Sequence, residues 1–308
     1  PSVSIPIMLQ QIQNMTQGVV FFEGEESFLQ HAHKRTSEGA TLNINLIGEA
    51  LIGEKEAQAR IQHYKDLLHR EEIDYVSIKM STIYSQIHPL AFDHNVKELK
   101  LRLSDLYRVI QTIQRNTGRT KFINIDMEEY RDLWLNIQVF TETLDQSEFQ
   151  DLSAGIVLQA YLPDSYQALQ ELKAWAQVRM KQGGSPIKIR LVKGANLEME
   201  QTESALKMWP AVTFSSKKET DANYKKILDE LLTPESLKMI HVGVASHNIF
   251  DISYALIQVH DLKAYDQVSF EILEGMAPEL SSHLRKLGAR LVIYTPLVER
   301  SNYNAAIA

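Results

Sequence analysis

The sequence predicts an α/β fold of the (βα)8 TIM-barrel type. Short apolar runs rich in β-branched residues alternate with longer segments of helical periodicity, and eight such units over about 250 residues are typical of this barrel. A doubly wound open sheet is the competing layout, but no Gly-x-Gly-x-x-Gly turn follows the first run. The eight predicted strands cover residues 42–47, 75–78, 122–125, 155–158, 187–192, 240–244, 268–273 and 291–294.

The segments between these runs predict helices because their apolar residues recur at helical spacing. In the longest segment, Leu99, Leu103 and Leu106 follow one another at intervals of four and three, as an amphipathic helix requires. The predicted helices cover residues 54–69, 96–117, 128–144, 166–181, 221–232 and 278–287.

Residues 1–40 do not follow this alternation. The stretch 18–24 has a glycine at each end and interrupts the pattern, and residues 27–38 predict a short helix. We expect residues 1–40 to form an irregular, partly helical lead-in that covers the barrel floor or docks on a neighbouring unit. Residues 41–308 are then expected to form the barrel.

Composition excludes several classes of protein and site. The 308 residues carry a net charge of −7, no cysteine and no basic stripe. Disulfides, thiolate metal sites and a cysteine nucleophile are therefore excluded, and nucleic acid is not expected as a partner. No apolar run approaches the roughly 18 residues of a membrane span. No His-Glu-x-x-His or comparable spacing predicts a metal site, and His31 and His33 receive no role.

Polar residues follow the carboxyl ends of the predicted strands, which is where a barrel of this type builds its active site. One run, Ile187-Lys188-Ile189-Arg190-Leu191-Val192-Lys193-Gly194, ends in two cations and a glycine, which suits an anionic group such as a cofactor phosphate. The strand-end residues are Asn45, Gly48, Glu49, Lys79, Asp126, Gln159, Arg190, Lys193, Ser246, His247, Asn248, Glu271, Glu274 and Tyr294.

Each of these residues also has a plainer interpretation. Lys79 suits a solvated strand end, Asn248 a helix N-cap, and Asp126 an acidic first helical turn. Tyr294 suits a strand that ends in a proline turn. The residues alone predict a barrel enzyme with an anionic ligand. A Schiff-base lyase that uses Lys79 or Lys193 as nucleophile, and a non-catalytic binding scaffold, remain open alternatives.

A set of strand-end motifs occurs in a characteristic order from about residue 41 to residue 296. The motifs are Leu46-Ile47-Gly48-Glu49-Ala50, Ser77-Ile78-Lys79, Asn124-Ile125-Asp126, Leu158-Gln159-Ala160-Tyr161, Ile189-Arg190-Leu191-Val192-Lys193-Gly194-Ala195, Ser246-His247-Asn248, Phe270-Glu271-Ile272-Leu273-Glu274-Gly275-Met276 and Ile293-Tyr294-Thr295-Pro296. Together they resemble the FAD-dependent proline dehydrogenase barrel, especially the form found in bifunctional proline utilisation A proteins. The resemblance implies a distorted (βα)8 barrel whose last helix lies above the barrel.

The resemblance also implies roles for the matching positions. In the family these positions face the substrate or line the flavin, with the segment 217–220 expected in a loop near the pyrophosphate or adenosine part. The implied catalytic residues are Lys79, Asp126, Tyr294 and Leu273. The implied FAD-binding residues are Asp126, Val157, Gln159, Arg190, Val192, Lys193, Gly194, Ala195, Asn196, Leu197, Lys217, Lys218, Glu219, Thr220, Ala245, Ser246, His247, Asn248, Glu271 and Leu273.

The implied reaction is oxidation of L-proline to pyrroline-5-carboxylate by hydride transfer to FAD, with electrons passed on to a quinone. The resemblance further implies a cytoplasmic protein that contacts the membrane at most peripherally, during turnover. An aldehyde dehydrogenase module is expected as a partner in a longer chain. A catalytically impaired barrel that binds FAD, or acts as a scaffold, is the alternative.

Two departures from the family pattern bear on activity. Asn196 stands where many relatives carry an aromatic residue after the lysine-glycine-alanine motif. The family also has a final helix with a paired-arginine motif that grips the substrate carboxylate, and this sequence ends at about the point where that helix begins. We therefore expect a chain truncated before its last helix, which binds FAD better than it oxidises proline.

Overall fold

Eight parallel strands close into a barrel, as the alternation of apolar runs predicts. The structure, a computed structural model, describes residues 18–24, 26–47, 51 and 53–299. A ninth, two-residue strand precedes the barrel strands in the chain. The strands are β1 (Phe21–Phe22), β2 (Ala40–Ile47), β3 (Tyr75–Lys79), β4 (Phe122–Asp126), β5 (Gly155–Gln159), β6 (Ile187–Val192), β7 (Ile240–Ala245), β8 (Val268–Leu273) and β9 (Arg290–Val298).

The barrel closes because the last strand pairs with both the first and the seventh barrel strand. Strand β9 pairs with β2 along the whole of β2, from Ala40 opposite Leu291 to Ile47 opposite Val298. On its other edge β9 pairs with β8 as far as Tyr294. Beyond that point β1 takes the place of β8 and pairs with the end of β9. The short first strand therefore lies at the carboxyl end of the barrel.

Helices cover the outside of the barrel and bury their apolar faces against the strands. The 26-residue helix α4 buries Leu99, Leu103 and Leu106 and ends at Gly118, whose left-handed backbone (φ 72°) suits glycine. The helices are α1 (Glu26–Ser37), α2 (Glu54–His69), α3 (Met80–Ile83), α4 (Phe92–Thr117), α5 (Leu133–Leu144), α6 (Ser165–Lys181), α7 (Leu197–Lys207), α8 (Lys217–Leu231), α9 (Pro234–Leu237), α10 (Ile249–Leu262) and α11 (Pro278–Lys286).

The lead-in helix α1 lies alongside the barrel wall rather than across its floor. It contacts β1 and β2, and its end leads directly into the amino end of β2 at Ala40. Closer to its start, His31 bonds to Glu274, just beyond the carboxyl end of β8. The helix thus runs the height of the barrel. Among the described residues, every helix is too short or too polar to cross a bilayer.

The predicted (βα)8 class is confirmed, and the differences from the predicted elements have local causes. Residues 128–144 do not form one helix: a 3₁₀ turn at Tyr130–Asp132 precedes α5. Helix α7 was missed because only Glu200 and Ser204 are buried on it, so it has no apolar stripe. Asn248 was considered as the N-cap of a helix, but the range of α10 was not predicted, because this helix carries apolar residues on its exposed face as well as its buried one.

Candidate functional site

A cavity of about 520 Å³ opens at the carboxyl end of the barrel, within the range typical of small-molecule sites. It is lined by residues from all eight barrel strands and from the loops that follow them. Eighteen of its residues were predicted as site residues, namely Lys79, Asp126, Val157, Gln159, Arg190, Val192, Lys193, Gly194, Ala195, Asn196, Lys217, Ala245, Ser246, His247, Asn248, Glu271, Leu273 and Tyr294. The cavity also contacts Asn45, Met127, Glu128 and Ile272.

Asp126 is the centre of a buried hydrogen-bond network in the cavity floor. Its Oδ1 accepts from Arg190 Nη1 at 2.9 Å, from Asn124 Nδ2 at 2.9 Å and from Ser77 Oγ at 3.1 Å. Its Oδ2 accepts from the hydroxyl of Tyr294 at 2.6 Å. Asp126 is the last residue of β4, so its interpretation as an acidic first helical turn is wrong. The network fixes the carboxylate in one orientation.

Arg190 and Tyr294 keep their protons in this network. Burial lowers the pKa of Arg190, but the carboxylates of Asp126 and Glu271 raise it by more, so the guanidinium stays charged. Burial and the charge of Asp126 hold the pKa of Tyr294 well above its usual value, so its hydroxyl remains a donor. The Arg190 guanidinium also lies 4.5 Å from the centre of the Tyr294 ring, a cation–π contact.

Lys79 stands at the rim of the cavity in an ion pair. Its Nζ lies 2.9 Å from Oε1 of Glu128, and Ser81 donates to the other oxygen of the same carboxylate. Glu128 was not predicted as a cavity residue, because it follows the strand end by two positions in an irregular loop. A ligand carboxylate that binds Lys79 must either share the ammonium with the Glu128 carboxylate or displace that carboxylate from it.

Gln159 and Asn196 hold the loop that carries Glu128. Gln159 Nε2 donates to the carbonyl oxygens of Met127 and Glu128, and Asn196 Nδ2 donates to the carbonyl of Glu128 at 2.8 Å. The Asn196 side chain therefore has a defined contact in the loop that carries Glu128. The Oε1 atom of Gln159 is buried without a hydrogen-bond partner among the described residues, so it is available to a ligand donor.

Lys193 is held by two carboxylates at the end of β6. Its Nζ lies 2.5 Å from Asp221 Oδ1 and 2.7 Å from Asp251 Oδ2. Burial lowers the pKa of Lys193, but these hydrogen bonds raise it by more, so the side chain is cationic. Lys217 also bonds Asp221, at 2.5 Å. The two lysines are therefore positioned charges balanced by aspartates.

Gly194 lets the backbone after β6 pass directly beneath an aromatic ring. Its φ is 132°, a conformation that L side chains rarely adopt. A Cβ atom at this position would collide with the ring of Tyr161. The glycine of the arginine-lysine-glycine motif is therefore required both by conformation and by space.

His247 has a defined tautomer. Its Nε2 accepts from the backbone N–H of Leu273 at 3.0 Å, and burial lowers the pKa of its ring. The neutral imidazole therefore carries its proton on Nδ1, which makes that atom a donor. Asn248 caps α10 through its side chain to Phe250 N, so the capping interpretation is confirmed while Asn248 also lines the cavity.

Four predicted FAD-binding residues do not line the cavity: Leu197, Lys218, Glu219 and Thr220. The segment 217–220 was expected in a loop, and this is wrong, because it forms the first turn of α8. Glu219 is engaged in a capping box with Ser216, whose backbone N–H it accepts at 3.0 Å. Gly48 and Glu49 lie outside the described residues.

His31, to which the sequence assigned no role, makes a structural contact with Glu274. His31 and Arg35 both bond the carboxylate of Glu274, at 2.8 Å and 2.5 Å. The Glu274 side chain is only 1% exposed, and although burial raises its pKa, these two partners lower it by more. They tie α1 to the loop that follows Leu273. Sequence spacing could not reveal a contact between residues so far apart in the chain.

Outside the cavity, one trio in the described part of the chain has its donor atoms grouped closely enough for a metal ion. These are Glu23, His63 and Glu299, whose ligand atoms all lie within 4.8 Å of one another. His63 uses both ring nitrogens, with Nε2 at 2.5 Å from Glu23 and Nδ1 at 3.0 Å from Glu299. This arrangement connects α2 to the segments that follow β1 and β9 through one histidine ring.

The cavity chemistry fits an anionic, aromatic cofactor such as FAD. The carboxyl end of β6 supplies the cations Arg190 and Lys193, and the first turn of α8 supplies Lys217. The unpaired Oε1 of Gln159 and the Nδ1–H of His247 offer an acceptor and a donor for a polar ring edge. Val157, Ile272 and Leu273 also give the cavity apolar walls against which a flat ring can pack.

Comparison with known proteins places this chain among the proline dehydrogenases. The family described as "Proline dehydrogenase" matches residues 28–303. Proline dehydrogenase 1 of Bacillus subtilis subsp. natto is 26% identical over 278 residues, which cover 88% of this chain and 78% of the relative. The bifunctional protein PutA of Escherichia coli is 27% identical over 306 residues, but these cover only 22% of that protein.

Solved structures of proline utilization A share the barrel. The protein from Corynebacterium freiburgense superposes with a TM-score of 0.91 at 39% identity, over 96% of this chain and 30% of that one. The protein from Bdellovibrio bacteriovorus, inactivated by N-propargylglycine, gives 0.87 at 30% identity, over 98% of this chain and 33% of that one. The chain therefore spans about a third of these solved chains, and it belongs to the proline dehydrogenase family.

Proposed function

We propose that this barrel oxidises L-proline to pyrroline-5-carboxylate with FAD as its cofactor. The observation that carries the proposal is the buried Arg190–Asp126–Tyr294 network in the floor of a cavity that also contains Lys79. FAD, when bound, would accept the hydride that leaves the proline ring. Arg190, Lys193, Gln159 and the other cavity residues would hold the cofactor.

The chain's own residues bind and orient the substrate. Lys79 offers its ammonium to the substrate carboxylate, in exchange for part of its ion pair with Glu128. Asp126 holds the Tyr294 hydroxyl in one direction, so the tyrosine forms a fixed wall of the pocket. Leu273 is 42% exposed and presents an apolar surface to the ring. These contacts fix the orientation that hydride transfer requires.

Several wider features belong to the same proposal. Residues 1–40 act as a lead-in to the barrel of residues 41–308, electrons pass from the cofactor to a quinone, and an aldehyde dehydrogenase module accompanies the barrel in a longer protein. We place the protein in the cytoplasm with at most peripheral membrane contact. N-propargylglycine inactivated the Bdellovibrio relative, and we expect it to inactivate this protein as well.

The Schiff-base alternative is weakened by the environment of its candidate lysines. A nucleophilic lysine must be neutral, yet Lys193 lies between two aspartates that raise its pKa, and Lys79 is paired with Glu128. Borohydride with a carbonyl substrate should therefore leave both lysines unmodified. A lysine adduct found by mass spectrometry would favour the lyase.

The substrate assignment is tested with Lys79→Met. Removing the ammonium while keeping an unbranched side chain should raise KM for L-proline about tenfold or more, because a charge-assisted hydrogen bond is lost. FAD released by denaturation and identified by chromatography should stay stoichiometric. Lys181→Met, on the exposed end of α6, is the control. An unchanged KM, or no FAD in the parent protein, would contradict the proposal.

A further inference from the structure

Beneath the cavity floor lies a buried lysine, Lys188, that has no part in the proposed chemistry and is paired with the cavity residue Glu271. Lys188 lies two residues before Arg190 on β6, so both side chains point into the barrel. Lys188 Nζ lies 2.5 Å from Glu271 Oε1, and both residues are buried. Lys188 does not line the cavity, whereas Glu271 and Arg190 do.

The barrel makes room for this pair. The neighbouring strand carries Gly243 opposite Arg190, and a Cβ atom there would collide with the Glu271 carboxylate and lie 3.1 Å from Lys188 Cε. On the other side, the Lys188 ammonium lies 4.9 Å from the centre of the Tyr75 ring. The lysine is therefore enclosed, and its carboxylate partner is shared with Arg190.

Glu271 competes with Asp126 for Arg190. Arg190 Nε lies 3.2 Å from Glu271 Oε2, but the two atoms are not aligned for a hydrogen bond, and neither has another hydrogen-bond partner among the described residues. Arg190 Nη1, by contrast, makes a 2.9 Å hydrogen bond to Asp126. The Arg190 guanidinium is thus hydrogen-bonded to Asp126, whereas the Glu271 carboxylate is paired with Lys188.

Charge balance explains this preference. Asp126 and Glu271 are two carboxylates, and Arg190 and Lys188 are the two basic groups paired with them. Burial lowers the pKa of Lys188, and its contact with the Glu271 carboxylate opposes that shift. Without Lys188, two buried carboxylates would share one arginine. An uncompensated buried charge is costly, so Arg190 would be drawn toward Glu271 and away from Asp126.

We propose that Lys188 is a positioning residue, which neutralises Glu271 so that Arg190 is committed to Asp126 and to the ligand in the cavity. Its effect on the cofactor rests on the proposed function. Its effect on the charge balance of the barrel does not, and the two can be tested separately.

The apoprotein tests the charge balance. Lys188→Met should lower the melting temperature by several degrees. In an Asp126→Asn background, where Arg190 pairs with Glu271 alone, the same substitution should lower the melting temperature by less than half as much. In the proposal, Lys188 and Asp126 interact through Arg190, so the effects of their substitutions on the melting temperature are not additive. A purely structural role for Lys188 instead predicts the same decrease in melting temperature in both backgrounds, and that result would overturn the proposal.

The FAD-bound protein tests the consequence for the site. Lys188→Met leaves an extra negative charge beside the cavity, so the midpoint potential of the bound flavin should shift to a more negative value, and kcat with L-proline should fall about tenfold. The double substitution Lys188→Met/Glu271→Gln restores neutrality and should recover most of both losses. Lys181→Met should leave potential and kcat unchanged.

The outcomes separate the two claims. A double variant no better than Lys188→Met in potential and kcat would overturn the positioning role. A parent protein that takes up no FAD would instead defeat the proposed function, and the melting-temperature comparison in the apoprotein would still decide whether Lys188 balances the charges around Arg190.

Discussion

At the level of single residues, the hydrogen bonds around Asp126 fix the geometry of the cavity floor. The carboxylate receives hydrogen bonds from Arg190, Asn124, Ser77 and Tyr294, so every oxygen of the group is oriented. Four donors restrict the orientation of a buried carboxylate, and the loss of one donor leaves part of its desolvation cost uncompensated. Substitutions here are expected to act on catalysis more than on folding.

Tyr294→Phe tests this expectation. Removing the hydroxyl deletes a hydrogen bond to a charged group, so kcat/KM for L-proline should fall about tenfold to a hundredfold. Because the pKa of Tyr294 lies well above its usual value, the ratio of parent to variant should stay constant between about pH 6 and about pH 9. Tyr107→Phe, which removes a buried hydroxyl without a partner among the described residues, is the control. A ratio that changes with pH would count against the assignment.

Asp132 is expected to make stability depend on pH. Burial raises the pKa of Asp132 to about 6. The charge of Arg131 lowers this pKa, and the neighbouring carboxylates raise it. The folded state therefore holds this proton more tightly than the unfolded chain, and stability is lost as the pH rises from about 4 to about 6. Asp132→Asn should raise the free energy of unfolding by about 1 to 2 kcal/mol at about pH 8 and leave it unchanged at about pH 4.

Denaturant unfolding at the two pH values measures this difference. Asp151→Asn, at an exposed aspartate, is the matched control and should show no such dependence. Equal effects of Asp132→Asn at both pH values would show that Asp132 does not carry the proton.

The sequence predicted the side chains that line the cavity better than the contacts they make. Strand-end position and family motifs identified Arg190, Asp126 and Tyr294, because the carboxyl ends of parallel strands meet at one face. They did not predict that Glu128 pairs with Lys79, because loop geometry sets that contact. Nor did they predict the role of His31, whose partner lies 243 residues away in the chain.

At the scale of elements, helix α1 anchors the loop that carries the apolar wall of the cavity. The side chains of His31 and Arg35 hold Glu274, the residue that follows Leu273. The same stretch donates the backbone N–H that fixes the His247 tautomer. The lead-in therefore acts on the cavity through one buried carboxylate.

The double substitution His31→Ala/Arg35→Ala tests this anchor. It leaves the buried Glu274 carboxylate with the Gly275 N–H but without its two basic partners from α1. This loss should cost about 3 kcal/mol of stability and raise the FAD dissociation constant about tenfold as the loop loosens. Gln30→Ala, at an exposed position of the same helix, is the control. A destabilised variant with unchanged FAD affinity would show that the loop holds its position without α1.

Element prediction succeeded where burial leaves a simple pattern. Strand β5 is buried at all five positions, and such runs are recognisable as apolar segments. Helix α2 matches its predicted range at both ends. Helix α7 could not be predicted, because its buried Glu200 accepts from the backbone N–H of Tyr130, and such a polar contact leaves no hydrophobic periodicity.

For the whole molecule, the closed barrel explains why the site exists. Strand β9 joins β8 to β2, and this closure brings Tyr294 to Asp126 although 168 residues separate them. Arg190 reaches the same point from β6 on another part of the wall. The fold class was predictable from the alternation of strands and helices, but this meeting of side chains depends on the register of closure.

The most direct test of the account is the visible absorption spectrum of the protein under anaerobic conditions, before and after addition of L-proline. We expect the bands of an oxidised, FAD-type flavin, and we expect L-proline to bleach them. Flavin bands that L-proline leaves unchanged, with the cofactor fully bound, would contradict the claim that this barrel oxidises proline.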